Sequence, residues 1–290
     1  MVKTQTKVWR MIMCKTCGCD EGQKTFWSQQ NIENKHSHDH DNDHDFDHNH
    51  HHHHHHHQQE NSHTHDHAQM YKKVNSNKIQ MHDNILSNND NIATQNRQYF
   101  VNNNITTINI MSSPGSGKTS LLTKTLSELN KSNLPVASLV GDQTTDLDGQ
   151  RLKESATWVH QINTYSSCHL DAKHIQNAIP LLPGDLNPKF LFIENVGNLV
   201  CPAAFDLGEQ IKVALLSCPE GEDKVLKYPV MFHLAHIVIL TKIDLIPHLK
   251  WDHSLFKHNL KKINPVARYF ELSSQTGQGM IEWTQFLKTI

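Results

Sequence analysis

Two stretches of this 290-residue chain carry residues typed and spaced for nucleotide chemistry. In "SSPGSGKTS", Ser112 to Ser120, Gly115 and Gly117 let successive backbone N–H groups, with Ser116 and Ser120 beside them, turn toward phosphate oxygens. A helix starting there adds the positive end of its dipole. Lys118 would reach the β- and γ-phosphates, and the Thr119 hydroxyl would face Mg²⁺. The usual pattern begins with glycine where this chain has Ser112, and the alternative is a chance glycine-rich turn. Downstream, "TKID" places Lys242 and Asp244 beyond an apolar run. A carboxylate there accepts both the ring N–H and the exocyclic amine of guanine, a donor pair adenine lacks. Thr241 stands where asparagine is common and retains a hydrogen-bonding group, and Ser273 and Ser274 in "LSSQTG" sit where a second base-contacting loop would lie.

Two further stretches carry soft metal donors. "FIENVGNLVCPA", Phe192 to Ala203, reads as a buried strand running into a loop. Glu194 at the strand end would hold Mg²⁺ or its water, and the Gly197 amide would contact the γ-phosphate. Cys201 rides on the same loop, so its position depends on the nucleotide bound. Cys168 and His169 are adjacent, and with Cys201 they make a candidate metal set that two subunits could complete. The bland reading of Cys201 is a small buried thiol, and Cys218 is read as a core residue. Near the start, "CKTCGC" brings Cys14, Cys17 and Cys19 together at chelate spacing, suited to Ni²⁺ and open to Zn²⁺. The alternative, a redox pair, lacks a surrounding βαβ pattern.

Three regions separate by composition: residues 1–27 with the cysteine cluster, a polar His/Asn-rich stretch at 28–98, and a globular part at 99–290. Of the 25 histidines, 16 fall between His36 and His67, interleaved with Asp. Such a segment buries no core and reads as a disordered linker that binds several Ni²⁺ weakly, or as a solubilising spacer. Lone histidines such as His160, His233, His236 and His253 read as satisfied structural residues. In the globular part, apolar runs at 105–113, 135–142, 189–196, 211–217, 236–244 and 266–274 alternate with helical stretches. Leu121, Leu122, Leu126 and Leu129 share one face of the helix after Gly117. The pattern predicts an α/β fold: a P-loop NTPase with a mostly parallel sheet and helices on both faces, its ligands at the carboxyl ends of the strands. A net charge of −2 gives no electrostatic case for nucleic acid or an anionic membrane. No apolar run is long enough to span a bilayer, no secretory leader is visible, and a reduced, cytoplasmic setting is expected.

Together, "SSPGSGKT", "GDQTTDLDGQR", "CHLDA", "ENVGNLVCPA", "GEDKVLKYPVMF" and "MCKTCGC" make the chain resemble the HypB family of hydrogenase-maturation GTPases, grouped with the urease accessory GTPase. The resemblance covers about residues 99–290 and 13–19. It implies that Asp142 lies near Mg²⁺ and nucleotide, and that Cys168, His169 and Cys201 bind metal at a nucleotide-promoted homodimer interface. It also matches Asp148, without a derivable role, and places the cysteine motif beside the initiator, so Met13 is expected as the start, its amine a fourth donor. Implied partners are a HypA-type nickel chaperone and the hydrogenase large subunit. The expected function is a nickel metallochaperone GTPase using GTP, Mg²⁺ and Ni²⁺, with Zn²⁺ possible at the same donors; the rival is a nickel storage protein whose nucleotide site is secondary.

Overall fold

The computed structural model describes residues 67–142, 147–165 and 167–290, with side chains from residue 84 onward except Leu147. Cys14, Cys17, Cys19 and the histidine tract before His67 lie outside the described residues. In chain order the elements are α1 (His67–Asn102), β1 (Thr106–Met111), α2 (Lys118–Lys131), β2 (Val136–Asp142), α3 (Leu147–Leu152), β3 (Trp158–Asn163), α4 (Ala172–Ala178), β4 (Phe190–Glu194), α5 (Cys201–Ala204), β5 (Ile211–Ser217), α6 (Lys224–Lys227), α7 (Pro229–Leu234), β6 (Ile237–Thr241), α8 (His253–Ile263), β7 (Arg268–Glu271) and α9 (Met280–Lys288). Among the described residues, no helix is long and apolar enough to cross a membrane.

The strands form one sheet in the order β3-β2-β4-β1-β5-β6-β7, with every pairing parallel. Period-two alternation sorts its side chains. Ile108, Ile110, Phe190 and Phe192 pack on the side holding α2 and α9, where Leu121, Leu122, Leu126, Leu129 and Trp283 are fully buried. Leu191 and Ile193 point the other way, toward Phe100, Ile175 and Leu207. Parallel strands share one carboxyl edge, so Met111, Asp142, Glu194, Ser217 and Thr241 all end on the same side of the sheet. Register fixes this closely: Ile110 and Val140 both pair with Glu194, and Ser217 pairs with Thr241.

Two sequence expectations are corrected. Strand β3 was not anticipated, because "WVHQIN" carries His160 and Gln161 and lies at the sheet edge, where its burial is only partial. Of the expected linker at 28–98, residues 28–66 lie outside the described residues, whereas 67–98 fall in helix α1, which from His82 belongs to the compact unit ending at Ile290. Its buried residues are Leu86, Asn89, Ala93, Asn96 and Phe100. That is a three-four spacing, the seam of a packed helix. Two of the five seam positions are asparagine, so hydropathy alone hides the stripe.

Candidate functional site

The loop after β1 turns into α2 through Gly115 and Gly117, whose φ values of 75° and 93° suit glycine. Ser112 does not need to be glycine, because its backbone is not left-handed. It is fully buried, its hydroxyl donates to the Ser113 carbonyl at 2.7 Å, and Lys118 Nζ donates to it at 3.2 Å. Burial lowers the Lys118 pKa, partly offset by Glu194, Asp148, Glu220 and Asp142. Thr119 Oγ1 donates to Glu194 Oε1 at 2.7 Å. Glu194 is 3% exposed, and its other oxygen, Oε2, is buried with no hydrogen-bond partner. Burial raises its pKa from the ordinary 4.5 to about 7, against the Thr119 hydrogen bond and the Lys118 charge. An orphaned carboxylate oxygen beside a threonine hydroxyl is a donor set that fits a hard divalent cation such as Mg²⁺.

A cavity of about 540 Å³ opens over this loop, lined among others by Lys118, Thr119, Asp142, Asp148, Glu194 and Gly197. A neighbouring one of about 910 Å³ is lined by Ser120, Thr241, Lys242, Asp244, Ser273 and Ser274. Gly117, Ser120, Arg151 and Lys242 line both. The pair matches a nucleotide's two ends, phosphate and base. Lys242 sits in the left-handed region at φ 58° and its Nζ donates to the Gly115 carbonyl at 2.7 Å, so its stem spans the phosphate loop.

The soft donors form a cluster of their own. The ligand atoms of Cys168, His169 and Cys201 all fall within 4.8 Å of one another, each residue half-buried. Cys168 and His169 are on the β3–α4 connection, and Cys201 opens α5. The His169 ring rests on Phe205 at 4.0 Å between centroids. Burial lowers the His169 pKa, which favours the neutral, metal-ligating form.

The family model described as CobW/HypB/UreG, nucleotide-binding domain, matches residues 106–271. The hydrogenase maturation factor HypB of Escherichia coli is 46% identical over 211 residues, 73% of this chain and 72% of that protein. The hydrogenase/urease maturation factor HypB of Helicobacter pylori is 40% identical over 212 residues, 72% of this chain and 86% of that one. The chain belongs to this family, in its HypB branch. Among solved structures, HypB from Helicobacter pylori in complex with nickel aligns with a TM-score of 0.66 at 38% identity, covering 70% of this chain and 94% of that one. HypB from Archaeoglobus fulgidus aligns at 0.65 and 34% identity, covering 70% and 98%. A hydrogenase-maturation family with a P-loop NTPase fold is thereby established, on the branch read from the motifs.

Within this HypB-type domain the expected residues gather at the strand ends, with differences in what they do. Thr241, expected to retain a hydrogen-bonding group where asparagine is common, is 2% exposed and donates to the Ser116 carbonyl at 2.7 Å, tying β6 to the phosphate loop. Ser273 is fully buried, and its hydroxyl accepts from the Gln275 and Thr276 amides, shaping its own turn. Asp148 lines the phosphate cavity and pairs with the exposed Arg151 at 3.2 Å. Cys218 is buried, and burial pushes its thiol up to about 12, as suits a core residue.

Two residues escaped the sequence reading. Glu220 sits under the phosphate loop and accepts from the Ser113 hydroxyl, from the Ser116 hydroxyl at 2.7 Å, and from the Ser217 amide and hydroxyl at 3.0 and 2.8 Å. Asn195, fully buried, accepts from the Leu170 amide at 3.1 Å and donates to Asn109 at 3.2 Å. The first immediately precedes the quoted "GEDKVLKYPVMF" and the second lies in "ENVGNLVCPA", but only the tertiary fold supplies their partners.

Proposed function

We propose that this chain is a metallochaperone GTPase that couples the state of its nucleotide to its hold on Ni²⁺ and passes that ion toward the large subunit of a hydrogenase. The observation that carries the reading is the segment from Glu194 to Cys201. At one end, Gly197 lies against the phosphate loop so closely that an added Cβ would come within 3.0 Å of Pro114 Cα. In the middle, Asn195 holds the Leu170 amide, next to His169. At the far end, Cys201 supplies a ligand atom to the cluster. A shift of this segment on loss of the γ-phosphate moves a sulfur donor relative to the other two ligands.

In this reading the guanine end of GTP lies against Asp244 and the stem of Lys242, with Ser274 and the turn built by Ser273 beside it. Gly115, Ser116, Gly117 and Ser120 present the phosphate loop. Thr119 and Glu194 would hold Mg²⁺, with Asp142 nearby, and the ion would supply positive charge to offset that of the phosphates. Lys118 stabilises the γ-phosphoryl group as water attacks. No glutamine or arginine finger is assigned, so intrinsic turnover is on the order of 10⁻⁴ to 10⁻² s⁻¹. Cys168, His169 and Cys201 hold Ni²⁺, or Zn²⁺ in competition, and a second copy of the chain completes the site. Cys14, Cys17 and Cys19 make a separate Ni²⁺ site, and a HypA-type chaperone shares the delivery. The histidine tract serves as a separate store of weakly bound Ni²⁺, and the coupling itself is a property of the folded domain. The test measures Ni²⁺ stoichiometry and dimerisation with GDP and with a non-hydrolysable GTP analogue, for the native chain and Cys201→Ala. Nucleotide-dependent binding that disappears in Cys201→Ala is expected, and binding that is identical with both nucleotides sinks the reading.

A further inference from the structure

Resting on the metal-site reading above, we infer that Asn89 and Asn96 of α1 are positioning residues for the Cys168–His169–Cys201 cluster. The cluster draws its donors from two separate loops, so its affinity depends on how those loops are held relative to each other. The same two loops continue past the ligands to Ala172 and to Asp206–Leu207, and α1 bridges them there. Asn96 Nδ2 donates to the Ala172 carbonyl at 2.8 Å and to the Leu207 carbonyl at 3.0 Å. Asn89 accepts from the Ala172 amide at 2.8 Å and donates to the Asp206 carbonyl at 2.8 Å. Each amide therefore staples the histidine-bearing loop to the cysteine-bearing loop. The two are 6% and 1% exposed, so water cannot replace the bonds if they are lost.

Three contacts reinforce the staple. Arg97 donates from its guanidinium to both carboxylate oxygens of Asp206, at 2.7 and 2.9 Å. Gly208, at φ 92°, brings its loop so close that a Cβ would lie 2.6 Å from the Ala93 carbonyl oxygen. Phe205, next to the stapled Asp206, carries the His169 ring. None of these α1 residues lines the nucleotide cavities.

The full chain bearing Cys14→Ser, Cys17→Ser and Cys19→Ser is titrated with Ni²⁺ while the near-ultraviolet thiolate-to-nickel absorption is followed, which imidazole sites do not produce. In that background Asn89→Leu and Asn96→Leu each weaken the titration about tenfold, while affinity for a fluorescent GDP stays within about twofold of the parent. Leu86→Ala is the control: it loosens α1 without touching the staples and leaves the nickel titration unchanged. Equal weakening in Leu86→Ala, or unchanged titration in both asparagine variants, overturns the proposal. Cys201→Ala separates the two levels. If it abolishes the band while the asparagine variants change nothing, positioning alone fails; if it leaves the band intact, the metal-site reading fails and positioning with it. Should the leucine variants not fold, Arg97→Gln decides, with about a threefold weakening expected and no change refuting the inference.

Discussion

Two carboxylates flank the phosphate loop, and they are in opposite conditions. Glu220, in the turn after β5, accepts from three serines and a backbone amide. Burial pushes its pKa up, but those bonds more than offset it, and Glu220 titrates below the ordinary carboxylate value. Glu194, at the end of β4, has one hydroxyl on one oxygen and nothing on the other, and its pKa is raised to about 7. The difference separates scaffold from site. A carboxylate satisfied by its own chain holds the loop's shape; a buried one left short of partners is a place where a ligand has to complete the structure.

Glu194→Gln breaks that contrast most severely. Removing the anionic donor lowers single-turnover GTP hydrolysis by about 10²-fold, roughly 3 kcal/mol of charge stabilisation. Stability moves the other way. The folded pKa is raised, so the folded domain binds the proton more tightly than the unfolded chain. The stabilisation from protonated Glu194 is fully present below about 4.5 and is lost as pH rises through about 7. In the nucleotide-free protein, Glu194→Gln therefore matches the native chain at low pH and exceeds it by about 1–3 kcal/mol at pH 8. Denaturant titrations across pH check this; a variant less stable at pH 8 than the native chain contradicts it.

Glu220→Ala tests the other half. It removes the shared acceptor of three serine hydroxyls and a backbone N–H under the phosphate loop, leaving Ser113 and Ser116 only each other. Loss of such a network costs about 2–3 kcal/mol in denaturant unfolding, and nucleotide affinity falls with it because the loop is no longer held. Here the native carboxylate stabilises above the ordinary carboxylate pKa, so the deficit persists at pH 8, opposite in sign to Glu194→Gln. A Glu220→Ala protein of native stability would make the two acids alike and remove the distinction.

The same contrast explains what could be read from sequence. Phosphate-loop residues and the Lys242–Asp244 pair are local in sequence, because the chemistry needs them side by side, and so is the Cys168–His169 step. The apolar runs gave six of the seven strands; β3 escaped because its polar residues erase the alternation. Helix α1 escaped for a related reason: Asn89 and Asn96 occupy seam positions that only their hydrogen-bond partners, far along the chain, make tolerable. Glu220, Asn195 and Thr241 likewise act through partners brought near by strand register, so residue type alone does not mark them.

Thr241 supplies the finest test. The position falls where a base-contacting asparagine is common, yet its hydroxyl is committed to the Ser116 carbonyl, on an element 125 residues earlier. Thr241→Val keeps the shape and removes one buried hydrogen bond, costing about 1 kcal/mol. If the hydroxyl serves the phosphate loop, GTP, GDP and ATP affinities all fall together, by about fivefold, and the preference for guanine is unchanged. If it reads the base, the ratio of GTP to ATP affinity drops while phosphate binding survives. The geometry favours the first outcome, because a hydroxyl that is 2% exposed and already donating to the loop has its one proton spent before a base arrives.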